Sequence, residues 1–258
     1  MKSWEIKIGE GPIIATAIHD GHGLSDEVAA NMKLPKADRL REEDPFTGDW
    51  ARLVPTHIIA KNSRFQVDLN RALWEAVYKE PKDAWGLDMW HEKPSASSVE
   101  RAMAEHVEFY ANLEKAYRQK VKQFGRVVVL DLHSYNHLRD GPSGAPADPK
   151  SNPEVNIGTG TMIRSRWGLL VDKFITELGE AGDLDVRENV KFIGRQHGSW
   201  AHSAFPDSVC VLSVEFKKTF MNEWTGELDT AAHHALGQAL SATFVGLTDS
   251  LKELGARI

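Results

Sequence analysis

Short apolar runs alternate with longer segments whose apolar residues recur at a helical period, the pattern of an α/β fold rather than an all-helical or all-strand one. The first run, Pro12 to Ile18, reads as a buried strand that delivers His19-Asp20-Gly21-His22-Gly23 at its C-terminal end. Val54 to Lys61 reads as a second strand. From about Ser98 to Phe124, positions such as Val99, Met103, Tyr110, Leu113, Tyr117 and Val121 keep a helical period. Ser97 with Glu100 forms a capping box for that helix, and Gly125 is its stop. The strongest strand signal comes next, Arg126 to Leu132, ending at His133-Ser134. Arg139 to Pro153, rich in Gly, Pro, Ser and Asp, is a loop. A helix is expected over Arg164 to Gly179 and a weaker strand over Val190 to Ile193. Val209 to Phe216 reads as a buried strand whose end carries Glu215, and Leu228 to about Leu254 as one closing amphipathic helix. Lys79 to Pro94, with Trp85 and Trp90, reads as a surface excursion over a cleft. No repeat, low-complexity tract or linker divides the chain, so residues 1–258 are expected to form a single domain.

Composition narrows the partners. The 41% hydrophobic and 26% charged content is ordinary for a globular chain. A net charge of −6 and a pI near 6.0 give no basic footprint for nucleic acid, although one cleft can still be positive. The lone Cys210 excludes an intramolecular disulfide, and its apolar surroundings read as a buried, inert thiol. The N-terminal segment lacks the apolar core of a signal peptide, and no apolar run is long enough to span a bilayer. A cytoplasmic protein with no membrane partner is the expectation.

The candidate chemistry lies at strand ends. His19 and His133 each follow a strong strand candidate, where open α/β sheets bind ligands. Asp20 adjoins the first, and Asp131, two residues before the second, either orients its imidazole or points to the opposite face. Either histidine alone is compatible with an ordinary polar residue; the pair points to a metal. A catalytic zinc takes three protein ligands from His and Asp/Glu and keeps one position for water. The third ligand comes from the acidic run Glu42-Glu43-Asp44, otherwise a solvated loop, or from His22, three residues after His19. Ser63 to Arg71 reads in two ways: an edge strand running into a helix capped by Asn70, or Asn70 and Arg71 holding a substrate carboxylate with Arg64 over a scissile carbonyl. Glu215, at the end of the last strand, reads on its own as a carboxylate paired with Lys217 or Lys218. His197 and His202 lie in an expected Gly/Ser-rich loop that can line the pocket, whereas His233-His234 sit in the last helix and read as structural or exposed. Covalent catalysis is disfavoured: Ser134 points away from its neighbour His133, no Gly-x-Ser-x-Gly elbow is present, and Cys210 has no activating base.

In this order, His19-Asp20-Gly21, Glu43-Asp44, Ser63-Arg64-Phe65-Gln66-Val67-Asp68-Leu69-Asn70-Arg71, Asp131-Leu132-His133-Ser134 and Glu215 resemble the N-formylglutamate amidohydrolase family. The Asp-Leu-Asn-Arg and Asp-Leu-His segments also resemble those of the aspartoacylase and succinylglutamate desuccinylase group. The resemblance spans roughly residues 12 to 220 and implies a zinc-carboxypeptidase-like fold, a three-layer α/β/α sandwich with a mixed central sheet. It implies a hydrolase of amino-acid catabolism that cleaves N-formyl-L-glutamate or a related small N-acyl amino acid. It further implies one Zn2+ or another divalent metal per chain, held by His19, His133 and Asp44, with Glu43 and His22 as alternatives for the second ligand. Arg64 would polarise the amide carbonyl, Asn70 and Arg71 would hold the substrate carboxylate, and Glu215 would be the general base. Ile18 stands where the family often has proline, and the region after Lys79 is enlarged. A carboxypeptidase-like peptide hydrolase and a non-catalytic binding protein on the same fold are the competing readings. Nothing in the sequence addresses the oligomeric state.

Overall fold

The computed structural model describes residues 3–258. The chain opens with β1 (Trp4–Lys7), β2 (Ile13–Ala17), the short helices α1 (Asp26–Asn31), α2 (Lys36–Glu42) and α3 (Thr47–Ala51), and β3 (Thr56–Ala60). There follow α4 (Ala96–Phe124), β4 (Val127–Tyr135), β5 (Val155–Gly158), α5 (Arg164–Gly182) and β6 (Val186–Glu188). The chain closes with α6 (Gln196–Ala204), β7 (Val209–Lys217), α7 (Thr230–Ala242) and α8 (Phe244–Glu253). Among the described residues the strands form one seven-stranded sheet in the order β1-β3-β2-β4-β7-β5-β6. The central strands β3, β2, β4 and β7 run parallel, while β1 and β5 are antiparallel to β3 and β7. This is the three-layer α/β/α sandwich with a mixed sheet.

Alternation along the strands feeds two cores, because successive strand side chains point to opposite faces. Ile13, Ala15 and Ala17 of β2, with Val128, Leu130 and Leu132 of β4, pack with Trp50 of α3 and with α5, α7 and α8. Ile14 of β2, with Val127 and Val129 of β4 and Val209 and Val211 of β7, packs against α4 and Ala201 of α6. Continuing that second face beyond the apolar positions leads to Thr16, Asp131, His133 and Glu215. The parallel register sets Thr16 opposite Asp131 and His133 opposite Glu215.

Several boundaries differ from the sequence expectation. The long helix is capped by Ser95, whose hydroxyl accepts from the Ser98 N–H at 3.1 Å, not by Ser97; the helix starts directly after Pro94-Ser95. Gly125 does end it, with φ +78°, where a side chain would be strained. β4 runs on through His133 to Tyr135, so His133 lies within the strand rather than after it. The outer strand is Val186–Glu188, not Val190 to Ile193, and the short β5 had no sequence signal of its own. The closing segment is two helices. Thr243, fully buried, bonds its hydroxyl to the Leu240 carbonyl at 2.7 Å, a local side-chain bond that competes with continued helix. Ser63 to Arg71 is neither strand nor capped helix but a series of turns, held by Ser63 carbonyl bonds and by Asp68 accepting from the Asn70 N–H. Cys210 is buried, as expected. No helix among the described residues is long and apolar enough to cross a membrane.

Candidate active site

The C-terminal ends of β2, β4 and β7 converge on a cavity of about 100 Å³. His19 follows β2 by two residues. Its main-chain carbonyl accepts from the Asp44 N–H at 2.9 Å, which brings the turn after α2 alongside it. Asp44 Oδ2 then lies 3.4 Å from His19 Nδ1 and 3.0 Å from His133 Nδ1, and the three candidate ligand atoms all fall within 4.8 Å of one another. All three residues are buried. Burial opposes the charge on Asp44, but hydrogen bonds from His133 and His19 hold its carboxyl well below the usual carboxylate range. His133 moves the other way: burial disfavours its charge, yet Asp131 and Glu215 raise its pKa well above the ordinary histidine value.

Both imidazoles turn their other nitrogen to a buried carboxylate. His19 Nε2 donates to Asp68 Oδ1 at 2.7 Å, and His133 Nε2 donates to Asp131 Oδ2 at 3.0 Å. Those bonds fix each ring's orientation and aim its Nδ1 at Asp44. Asp68 also accepts from Arg64 at 2.9 Å, from the Asn70 N–H at 2.8 Å and from the Tyr78 hydroxyl. Despite burial, the Arg64 charge keeps its carboxyl well below the usual range.

The other residues singled out by sequence separate into two groups. Arg64, Asn70, Arg71 and Glu215 line the same cavity as the three candidate ligands. Glu43 and His22 instead pair with each other, Nδ1 to Oε2 at 2.6 Å, and Glu43 is further bound by Ser63 and Arg39; neither lines the cavity. Asp20 is spent on the Gly48 N–H at 2.9 Å. Glu215 is not paired with either lysine. The residue is half-buried at the cavity wall, and burial of its carboxyl, reinforced by Asp44 and Asp131 against the pull of His133, pushes its pKa up to about 7. Lys218 is buried and gives its ammonium to the Arg41 and Glu43 carbonyls, at 2.6 and 2.7 Å, bracing the turn that carries Asp44.

The expected excursion does border the cleft: Trp85 lines the cavity, with the Arg64 guanidinium 4.8 Å from its ring centre. Tyr78, Lys218 and Arg195 were not singled out as site residues by sequence reasoning. Arg195 lines the cavity with no carboxylate partner among the described residues, and no periodicity marked it. His197 and His202 lie in helix α6 rather than in a loop, and neither lines the cavity. His202 accepts from the Val211 N–H at 3.0 Å, and burial pushes its pKa down to about 4. His233 stacks on Trp50 and donates to the Phe46 carbonyl, a structural role, and His234 is exposed.

One crossing controls how these pieces meet. A Cβ on Gly21 would lie 2.3 Å from the Lys61 carbonyl carbon, so the turn after His19 passes directly over the main chain that leads into Ser63 to Arg71.

Residues 11–221 match the family model described as N-formylglutamate amidohydrolase. The crystal structure of N-formylglutamate amidohydrolase from Ralstonia eutropha JMP134 superimposes with a TM-score of 0.79 and 19% identity, covering 98% of this chain and 99% of that one. A gene product from Agrobacterium tumefaciens superimposes with a TM-score of 0.58 and 20% identity, covering 93% of this chain and 96% of that one. A metallo-carboxypeptidase from Burkholderia cenocepacia aligns with a TM-score of 0.40 and 17% identity, over 92% of this chain and 56% of that one. No curated protein sequence matches this chain. At these identities the structural likenesses speak to the fold alone.

Proposed function

The chain belongs to the N-formylglutamate amidohydrolase family, and from that premise we propose that it is a metal-dependent hydrolase of N-formyl-L-glutamate or a related small N-acyl amino acid. The observation that carries the metal is the donor set. Two imidazole Nδ1 atoms and one carboxylate oxygen converge within 4.8 Å, each imidazole backed by a buried carboxylate at its Nε2. A cation there takes the place of the proton that the clustered carboxylates otherwise draw to His133. The ligand chemistry suits zinc, and manganese, iron or cobalt also accept two histidines and a carboxylate. Bound there, zinc supplies Lewis acidity, which activates water and polarises a carbonyl.

In this reading the chain's own residues do the rest. Glu215, with its carboxyl pushed up to about 7, takes a proton from water and passes it to the leaving amine nitrogen. Arg64 is braced by Tyr78, the Glu42 carbonyl and Asp68, and turns its remaining N–H groups to the carbonyl oxygen as negative charge develops there. Asn70 and Arg71 hold the amino-acid carboxylate and so set the register of the scissile bond. Support for a small substrate, over the groove a peptide hydrolase needs, comes from the narrow cavity with Trp85 at its wall. A binding protein without catalysis has no use for the unpaired Glu215 carboxyl on the cavity wall beside the donor set.

The test is metal analysis of the purified protein and of His133→Ala, read with formate release from N-formyl-L-glutamate. About one zinc per chain, lost in the variant together with activity, is the expected result. Zinc without formate release moves the substrate to another N-acyl amino acid. No metal, even after zinc is supplied, overturns the mechanism.

A further inference from the structure

Helix α6 closes the back of the site, and one of its residues touches more of the machinery than its position outside the cavity suggests. His197 is fully buried. Its backbone N–H donates to Asn70 Oδ1 at 3.2 Å, so the Asn70 amide is turned with its NH2 group left as donor. On the ring, Nε2 lies 2.7 Å from the Tyr117 hydroxyl, and Nδ1 lies 2.9 Å from Asp131 Oδ1. The second contact falls short of hydrogen-bond geometry and is a close approach of the ring edge to the carboxylate. A hydroxyl that donates to Nε2 leaves the ring proton on Nδ1, facing the carboxylate. Asp131 in turn accepts from Thr16 at 2.6 Å and from His133 Nε2 at 3.0 Å.

His202, in the same helix, shows what a histidine occupied only with packing looks like here. Its two nitrogens are taken up by Thr161 and the Val211 main chain, away from both carboxylates. His197 differs because its main-chain N–H leads to Asn70 and its ring Nδ1 to Asp131.

We infer that His197 is a positioning residue that ties the orientation of His133, through Asp131, and the orientation of Asn70 to a single helix. It touches no substrate, since it does not line the cavity. The inference rests on the roles given above to His133 and Asn70, and the apo protein allows it to be tested apart from them. The ring N–H of His133 is read in a nitrogen–proton spectrum of the metal-free chain, where its bond to Asp131 protects it from exchange. His197→Ala is expected to abolish that protection, and His197→Asn, whose amide reaches the place of Nδ1, to restore it. Tyr117→Phe deletes only the hydroxyl and decides the matter if His197→Ala does not fold; it is expected to weaken protection in the same direction. Zinc affinity, measured by chelator competition, should fall roughly ten-fold in His197→Ala, the lower end for loss of an outer partner. Asn70→Ala, which does not touch His133, should shift the same ring signal as α6 relaxes. Unchanged protection in both His197→Ala and Tyr117→Phe overturns the inference, and an unmoved signal in Asn70→Ala overturns the tie to Asn70. A wild-type chain that binds no zinc would sink the metal reading, while the apo spectrum would still decide the role of His197.

Discussion

The two histidines of the candidate metal centre are supported by the same device built in two different ways. His19 leans on Asp68, which sits in a turn, faces Arg64 and Tyr78, and is neutralised by a guanidinium that also lines the cavity. His133 leans on Asp131, which sits two residues before it in β4, sealed under α4 and α6. No lysine or arginine reaches Asp131 among the described residues; its partners are Thr16 and two histidines. A carboxylate held by a cation that can also meet substrate links metal binding to substrate binding. One enclosed by a hydroxyl and two imidazoles, off the cavity wall, has no such link. On the proposed reading, the Asp68 half of the site responds to substrate and the Asp131 half stays still.

The largest effect is expected from removing one of the two imidazoles itself. His133→Ala should reduce zinc affinity by well over about 100-fold, beyond the loss typical of an outer partner, as read by chelator competition. Glu215→Gln should leave zinc bound and lower kcat by about 10²–10⁴-fold, the usual worth of a positioned acid–base group. Next come the two supports themselves. Asp68→Asn and Asp131→Asn should each cost about 10–100-fold in zinc affinity. Only Asp68→Asn should also raise KM, because Arg64 and Arg71 lose their counter-charge. Equal KM values in the two variants would remove the distinction.

The pH dependence is smaller and has a definite sign. In the proposed mechanism Glu215 is the base, so kcat/KM should rise with pH on a limb that vanishes in Glu215→Gln. The raised pKa of Glu215 means the folded chain binds its proton more tightly than the unfolded one. The metal-free wild type should therefore lose stability relative to Glu215→Gln as pH climbs from 4.5 through about 7, measured as the difference in Tm. The least effect is expected from His22→Ala: its ring is tied to Glu43 and lies outside the cavity, so zinc affinity should hold within about two-fold, inside the range of neutral surface changes.

How much of this was legible in the sequence depended on periodicity. The long strands and the long helix announce themselves, since apolar side chains repeat there at strand or helix spacing. β5 and β6 are too short to carry a period, and the break at Thr243 turns on one hydroxyl bond. Within the site, His19, His133 and Glu215 could be read because they stand at or near the ends of recognisable strands. Asp131 was legible as a support for the same reason, two residues along one strand face. Asp68, the matching support, was not, although it sits in a segment that drew attention. It reaches His19 through turns whose path is set by side-chain bonds, and no spacing rule encodes them. His197 was noticed but placed in a loop, because Gly198 and Ser199 hid a short buried helix.

The crossing at Gly21 gives the motif His19-Asp20-Gly21 a mechanical side. Two arms of the chain rest against each other there, one ending in His19 and the other leading to its support Asp68, with no gap wide enough for a methyl group. The crossing works as a fulcrum. Spreading it by the width of one carbon atom would lever the imbalance outward along both arms, so the damage would appear as a misaimed nitrogen several residues away rather than as a disturbed turn.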